Sequence, residues 1–460
     1  MSSLIGILDI GKKALSVYRL AMNITGHNVA NANTPGFSRQ RPILATTLPI
    51  DYNPGQLGTG VKIAEIQRMR DRFLDLQVRE ETSSVGQWEK RQKFLGEVET
   101  IFNEPSDSSL NNALVEFWNS WQDLANDPEN ISARVAVREK AEVLCNTFHR
   151  LNSKLRRIIS DINDSIKGEV EEINSLAQRI AKLNDQIVSI ESKGENANDL
   201  RDQRDLLIDQ LSKIANISTV ELEDGSATIF MAGNSLVERV NTVTLGITFH
   251  SSPYGVVLDV SYGQSGQTLN FTDGELKGLI DLRDKVIPQY LENLDSLAST
   301  LIERVNSQHS AGYGLDGSTT GLDFFSGSDA LNIGLATTIE EDVSLIAAST
   351  DGSPGNGSNA LAISNLAHQL TMNGNSATFG DFYQSLMGNL GILSQEASQN
   401  YTNNNLLLSQ LENHRQSVSG VSLDEEMTNM INYQHSFEAA ARIISTVDEM
   451  MNTIINGMGA

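Results

Sequence analysis

Residues 14–42 read ALSVYRLAMNITGHNVANANTPGFSRQRP, and the two halves of the stretch follow different rules. In the first half, Leu15, Tyr18, Met22 and Val29 continue a near seven-residue repeat begun by Leu4 and Leu8. That spacing predicts one apolar seam along a helix from Ser3 to Asn31. In the second half, Asn31, Asn33, Pro35 and Gly36 crowd together and end the helix. Backbone before a proline is pushed towards extended geometry, and Gly36 supplies a positive-φ turn. Phe37 to Pro42 has no helical period and reads as an extended arm. A helix with an open seam, followed by an arm, cannot bury its own apolar face. It predicts a partner.

The far end of the chain supplies a matching piece. Leu423, Met427, Met430, Gln434, Phe437, Ala441, Ile444, Val447, Met451 and Ile454 recur at steps of three and four, with Gln434 the polar member. This is a coiled-coil seam, and Ile431 beside it adds to the apolar surface. Ser422 followed by Asp424, Glu425 and Glu426 puts a capping residue and three acids where the helix dipole favours them. The charges complement as well. Residues 1–42 carry Lys12, Lys13, Arg19, Arg39 and Arg41 against Asp9, a formal +4. Residues 421–460 carry Asp424, Glu425, Glu426, Glu438, Asp448 and Glu449 against Arg442, a formal −5. The two ends are expected to pair with each other and with copies of themselves.

Between these ends the chain reads as mainly α. The 460 residues can hold two to four domains, and 6% aromatic content is thin for large globular cores. Residues 45–61 suggest turns and short strands, and Val61–Ile66 alternates like a strand. Helix returns at Arg70 with a break at Ser83–Gly86, and two helices then cover Gln87–Phe102 and Asn111–Asn126. Phe117, Trp118 and Trp121 make the densest aromatic patch, expected as a packing core. From Leu151 to Ile190 apolar residues repeat at about 3.5, predicting a long helix over 132–191 and a returning one over 197–213. Two hairpins follow within 217–272, one around a type I′ turn at Asp224-Gly225 and one around Pro253–Gly255. Helix resumes over 274–308, a Gly/Ser/Thr/Asp-rich stretch fills 311–358, and helices occupy 360–370 and 379–416. The expected organisation is a terminal coiled-coil domain (1–42 with 421–460), a helical rod domain (43–216, 273–310 and 359–420), a small inserted β domain (217–272) and a loop-rich surface lobe (311–358).

Composition excludes several functions. A net charge of −24 argues against nucleic acid, which needs clustered Lys and Arg. No run of 18 apolar residues is present to span a membrane, and no signal-peptide core opens the chain. The lone Cys145 rules out an intramolecular disulfide and a cysteine metal cluster. Gly312-Tyr-Gly314-Leu-Asp-Gly317 fits G-x-G-x-x-G but follows a helix and enters a loop, so it reads as a turn. The seven histidines are scattered without zinc spacing. Asp199, Asp202, Asp205 and Asp209 stack on one helix beside Arg201 and Arg204, expected as a solvated, ion-paired face. No catalytic residue, metal or cofactor is expected, and the chain is read as a non-enzyme.

The residues also carry a resemblance. NVANANTPGFSRQ at 28–40, with SLDEEMTNMINYQHSFEAAARIISTVDEMMNTIIN at 422–456, resembles the two ends of bacterial flagellar axial proteins. LNDQI at 183–187, ANDLRDQRDLLIDQLS at 197–212, GELKGLIDLRD at 274–284, VNSQHSAGYGLDGSTTGLDFF at 305–325 and SGVSLDEEM at 419–427 narrow this to the hook-associated proteins of the hook–filament junction. The resemblance implies an extracellular structural subunit, exported by the flagellar type III apparatus without a cleaved signal. It implies an export chaperone on the C-terminal helix, and a ring-like assembly with its own copies between the hook subunit and the next junction protein on the filament side. Leu15, Tyr18, Met22, Asn31, Asn33, Pro35, Gly36 and Phe37 at one end, and Leu423, Met427, Ile431, Gln434, Phe437, Ile444 and Met451 at the other, are the expected assembly residues. The alternatives are a hook or distal-rod subunit, which shares both ends, or an intracellular coiled-coil adaptor.

Overall fold

The structure, a computed structural model, describes residues 2–53, 55–102, 106 and 109–458. The chain opens with helix α1 (Ser2–Ala30) and the arm enters strand β1 (Gln40–Thr46). A small hairpin of β2 (Ile50–Tyr52) and β3 (Gly55–Leu57) follows, and β4 (Val61–Arg68) returns antiparallel to β1. Helix α2 (Arg72–Phe102) runs unbroken through the expected break at Ser83–Gly86. The small residues there serve an approach between elements. A Cβ on Gly86 would strike the carbonyl of Lys213, so glycine lets a neighbouring helix end pack on its backbone. The connection to α3 (Leu110–Asn126), expected as a loop, falls largely outside the described residues.

Helix α4 (Ile131–Glu191) has 61 residues, a rod of about 90 Å at 1.5 Å per residue, and α5 (Asn198–Ile214) folds back on it. Leu151, Leu155, Ile158, Ile162, Ile166, Val170, Ile173 and Ile180 are all buried, so the 3.5 spacing marks a continuous core stripe. Gly168 sits in this helix facing open space and is tolerated.

The β region has a four-stranded sheet of β5 (Ile217–Glu221), β6 (Ala227–Met231), β7 (Asn234–Glu238) and β8 (Asn241–Thr242), in that order. Its second sheet holds β9 (Leu245–Ser252), β10 (Gly255–Tyr262) and β11 (Gln267–Thr268) in the order β11-β10-β9. The first turn is not type I′. Leu222 and Ser226 close a three-residue loop in which Gly225 alone has positive φ, at 83°. The sheets are fastened to α4 by asparagine side chains that act as backbone mimics, offering one N–H and one C=O to a strand. Asn174 donates to Leu245 O at 3.0 Å and accepts from Leu245 N at 2.8 Å. Asn184 does the same to Ala227, at 2.8 and 3.0 Å, and Asn163 holds Val256 and Leu258.

The helix expected over 274–308 is divided. Helix α6 (Glu275–Asp281) opens into a π-turn at Leu282–Val286 before α7 (Ile287–Ser310). Pro288 has no N–H and crowds the carbonyl four residues back, which widens the turn there. Beyond α7 come β12 (Phe325–Ser326), β13 (Gly334–Leu335), α8 (Thr337–Glu341) and α9 (Ser358–Ser364), amid turns. This region is drawn into the helical layer by Phe324 and Phe325, which meet Phe117 at ring separations of 6.1 and 5.6 Å, with Trp121 5.1 Å from Phe324. The buried His309 on α7 bridges them, its Nδ1 2.7 Å from Leu322 O and its Nε2 accepting from Ala347 N at 2.9 Å. Helix α10 (Phe379–Ser419) then runs back along α2, and α11 (Leu423–Met458) along α1. The fold is mainly α, built from both ends of the chain with antiparallel sheets inserted.

Candidate functional site

Three of the quoted sequence blocks, 28–40, 197–212 and 419–427, meet in space where α1 gives way to the arm. Asn31 ends the helix as a local hub. Its side chain donates to His27 O at 3.0 Å and accepts the Thr34 hydroxyl at 3.1 Å. Asn33 and Pro35 lie exposed on the turn, Gly36 takes φ 78° against Leu206, and Phe37 meets the His27 ring edge-on at 5.3 Å. The buried Asn28 then clasps Gln40 as the α4 asparagines clasp their strands, donating to its carbonyl at 2.8 Å and accepting its N–H at 3.0 Å. The same Asn28 amide donates to Glu426 at 3.0 Å. Arg39 reaches Glu425 at 2.5 Å and Glu426 at 2.7 Å, while its backbone N–H donates to Ser419 O. Burial lowers the proton affinity of Arg39, but Glu425 and Glu426 outweigh it and hold the guanidinium charged. One end of the chain is thus tied to the other through a single arm residue and its neighbours.

The arm is fixed to the rod by a buried ionic lattice. Ser38 N–H donates to Asp202 at 2.8 Å, and Arg68 reaches Asp202 at 2.8 Å and Asp205 at 2.9 Å. Arg70 grips Asp75 with two bonds, and Arg79 and Arg415 both meet Asp209 at 2.7 Å. The expected solvated face over 199–209 is ion-paired but solvated only at its start: Asp199 is exposed, whereas Asp202, Arg204 and Asp205 are buried. The covering arginines come from positions 68, 70, 79 and 415, and no local spacing announces them. Burial pushes the Asp205 carboxyl up, yet Arg70, Arg68, Arg204 and Arg79 prevail and hold it at about 2. Burial dominates at Asp202 and raises it despite Arg68. Removing one partner from such a lattice leaves an uncompensated buried charge, which is strongly destabilising.

Contacts between residues 11 and 444, 18 and 433, and 28 and 426 make α1 and α11 antiparallel. Gly11, Tyr18 and Asn28 make contacts of α1 with α11, and Val17, Ala21 and Ile24 form a buried stripe beside them. A Cβ on Gly11 would lie 2.8 Å from Ile444, so the glycine is the socket for that side chain. Leu15, Tyr18 and Met22 flank the stripe half-buried, with the Tyr18 and Tyr433 rings 6.4 Å apart. On α11, Phe437, Ile444 and Met451 are half-buried beside the closed Ala440 and Val447. Leu423, Met427, Ile431 and Gln434 are exposed, and Gln434 pairs with Glu438 at 3.3 Å. The expected seam therefore splits into one stripe closed within the chain and another left open. Sequence reading missed Gly11, Asn28 and Gln40, although Asn28 and Gln40 lie inside the first quoted block; Arg39 and Glu426 entered it only as complementary charges of the two ends.

Among the described residues, no group of three or more His, Cys, Asp or Glu is placed to hold a metal, and no helix is long and apolar enough to cross a membrane. Cys145 is buried, and burial pushes its thiol up to about 12.

Comparison with known proteins locates the chain. The family profile described as the flagellar hook-associated protein FlgK helical domain matches residues 95–325. Profiles for the C-terminal region of flagellar basal body rod FlgEFG proteins and for flagella basal body rod proteins match 413–457 and 8–37. Flagellar hook-associated protein 1 of Bacillus subtilis is 35% identical, the match covering 98% of each chain. That of Salmonella typhimurium is 26% identical, over 99% of this chain and all of the relative. The solved flagellar hook junction protein FlgK from Burkholderia pseudomallei shares the fold, with a TM-score of 0.66 and 16% identity over 75% of this chain and all of that one. At 35% identity over nearly its whole length, the chain belongs to the flagellar hook-associated protein 1 family.

Proposed function

We propose that this chain is a structural, non-enzymatic subunit of the bacterial flagellum, seated outside the cell at the junction of hook and filament. The observation that carries the reading is the unequal treatment of the two terminal stripes. One is closed by α1 against α11. The other presents Leu423, Met427 and Ile431 at about half exposure on an otherwise acidic helix. Apolar rows of that kind mark a surface awaiting a partner, and here copies of the same chain and the hook subunit are the partners. Leu15, Tyr18, Met22, Phe437, Ile444 and Met451 set the shape of the pair. Asn31, Asn33, Pro35, Gly36 and Phe37 aim the arm, and Leu423, Met427, Ile431 and Gln434 meet the neighbour. The next junction protein or filament would sit on the distal side of the resulting ring. Before export through the flagellar type III apparatus, a chaperone would cover the open stripe of α11. The four-part division of the chain at 42, 216, 272, 310, 358 and 420 follows the same logic, with the termini as the assembling part.

Electron microscopy of the purified protein mixed with hook–basal bodies that lack junction proteins tests the proposal. Density confined to the distal end of the hook is the expected result. Repeated growth along the axis would instead identify a hook-type subunit, and absence of binding by protein with intact ends would remove the flagellar role.

A further inference from the structure

The chain contains three Asn-Gly pairs, Asn356-Gly357, Asn373-Gly374 and Asn456-Gly457, and the fold treats them differently. The dipeptide carries latent chemistry. The amide nitrogen that follows an asparagine can attack the carboxamide carbon, and glycine, having no Cβ, crowds that approach least. Asn356 is tied down. Its Oδ1 accepts from Ser358 N at 2.8 Å, and its Nδ2 donates to the Thr350 hydroxyl at 3.2 Å. Gly357 is also pressed against Ala125, whose carbonyl oxygen would lie 2.1 Å from a Cβ placed there. Asn456 lies within α11, where the helical ladder takes up the Gly457 N–H.

Asn373 is held by neither device. It and Gly374 are exposed on a turn over 373–376, closed by Met372 and Ala377, with Met372 N–H donating to Ala377 O at 2.9 Å. Asn373, Gly374 and Asn375 take φ of 49°, 67° and 67°, three left-handed residues in a row of which only the middle one is glycine. Among the described residues, the Asn373 carboxamide has no hydrogen-bond partner and the Gly374 N–H has no acceptor. A Cβ on Gly374 would meet nothing within 4 Å, so no packed neighbour opposes the rotation that brings Asn373 Cγ to Gly374 N.

We propose that Asn373 is a site of spontaneous covalent modification. Gly374 N bonds to Asn373 Cγ, the Cγ–Nδ2 bond breaks, and Nδ2 leaves as ammonia with the proton that Gly374 N gives up. The cyclic imide then takes up water. Addition at Cγ reopens the ring to aspartate on the original backbone. Addition at the main-chain carbonyl of residue 373 leaves isoaspartate, with the chain routed through Cβ and Cγ. Either product adds a negative charge. The second also lengthens the turn by one backbone atom, where Thr371 N–H and Met372 N–H both donate to Ala377 O, directly ahead of the Thr378–Asp381 capping box that starts α10. With the ammonia lost to solvent the change does not reverse, so the turn records the age of the molecule.

Timed incubation of the purified full chain at neutral and mildly alkaline pH, followed by peptide mapping in a mass spectrometer and isoaspartyl methyltransferase labelling, tests this. In the folded chain, aspartate and isoaspartate are expected at 373 several-fold ahead of 356 and 456. The rate should rise with pH, because the attacking amide must lose its proton, and the three sites should converge in urea. Asn373→Gln, an exposed change whose longer side chain disfavours the ring, should fold as the parent and remove the label from this peptide. An unchanged Asn373 in folded chain whose urea-unfolded counterpart converts, or Asn356 converting as fast as Asn373 in the folded chain, would overturn the site.

Discussion

The core around α3 and the terminal pair of α1 and α11 are both helix packings, yet they close differently. In the first, Phe117, Trp121, Phe324 and Phe325 are at most 1% exposed, and every aromatic face finds another within the same chain. In the second, Leu423 and Met427 are 53% exposed and Ile431 is 50% exposed, although they repeat as regularly as any core residue. Periodicity therefore reports that a face will be buried. It does not report by whom. The rod packs large rings across several elements, while the terminal pair leaves bulky apolar residues of α11 open to solvent.

The contrast can be broken at several points. Trp121→Ala should have the largest effect, removing about 3–5 kcal/mol from the rod in thermal or denaturant unfolding, while contacts of α1 with α11 persist. A pH titration of stability comes next. Burial lowers His309 from 6.5 to about 4, with Arg134 adding to the effect and Asp323 opposing it. The unfolded chain then takes up the proton first, so the contribution is complete above pH 6.5, declines as pH falls towards 4, and levels off below. The loss amounts to about 3 kcal/mol, and His309→Gln should flatten it. Gly11→Val overfills the Ile444 socket and should destabilise only the terminal pair, by about 1–3 kcal/mol, read as faster amide exchange in α1 and α11 with the rod unchanged. Smallest of all, Ile431→Ser should alter monomer stability by less than about 0.5 kcal/mol yet impair incorporation at the hook end. A large stability loss from Ile431→Ser would mean that the stripe is already covered within the monomer.

Much of this layout is written in local spacing. The heptad run from Leu151 to Ile190 specifies α4 because each buried residue lies within two turns of the next. The helix stop at Asn31–Gly36 is equally local. What local reading misses is whatever depends on residues far apart in sequence. Ser83 and Gly86 look like a break until Lys213 is placed on them. The aspartates of α5 look solvated until arginines from β4, α2 and α10 arrive. The large residues of α1 dominate the periodicity, so the socket at Gly11 that meets Ile444 is overlooked. Asn163, Asn174 and Asn184 carry a signal that could have been read: three amides along one amphipathic helix, each able to offer a donor and an acceptor to a strand.

The contact between Asn28 and Glu426 spans 398 positions of the chain. Loops of that length close slowly compared with local helix formation, and this one cannot close at all until nearly the last residue has been made. During synthesis the leading helix must wait for the trailing one while the rod between them is already free to fold. The clasp is therefore expected to form late, joining two helices across a rod whose local contacts can already be made.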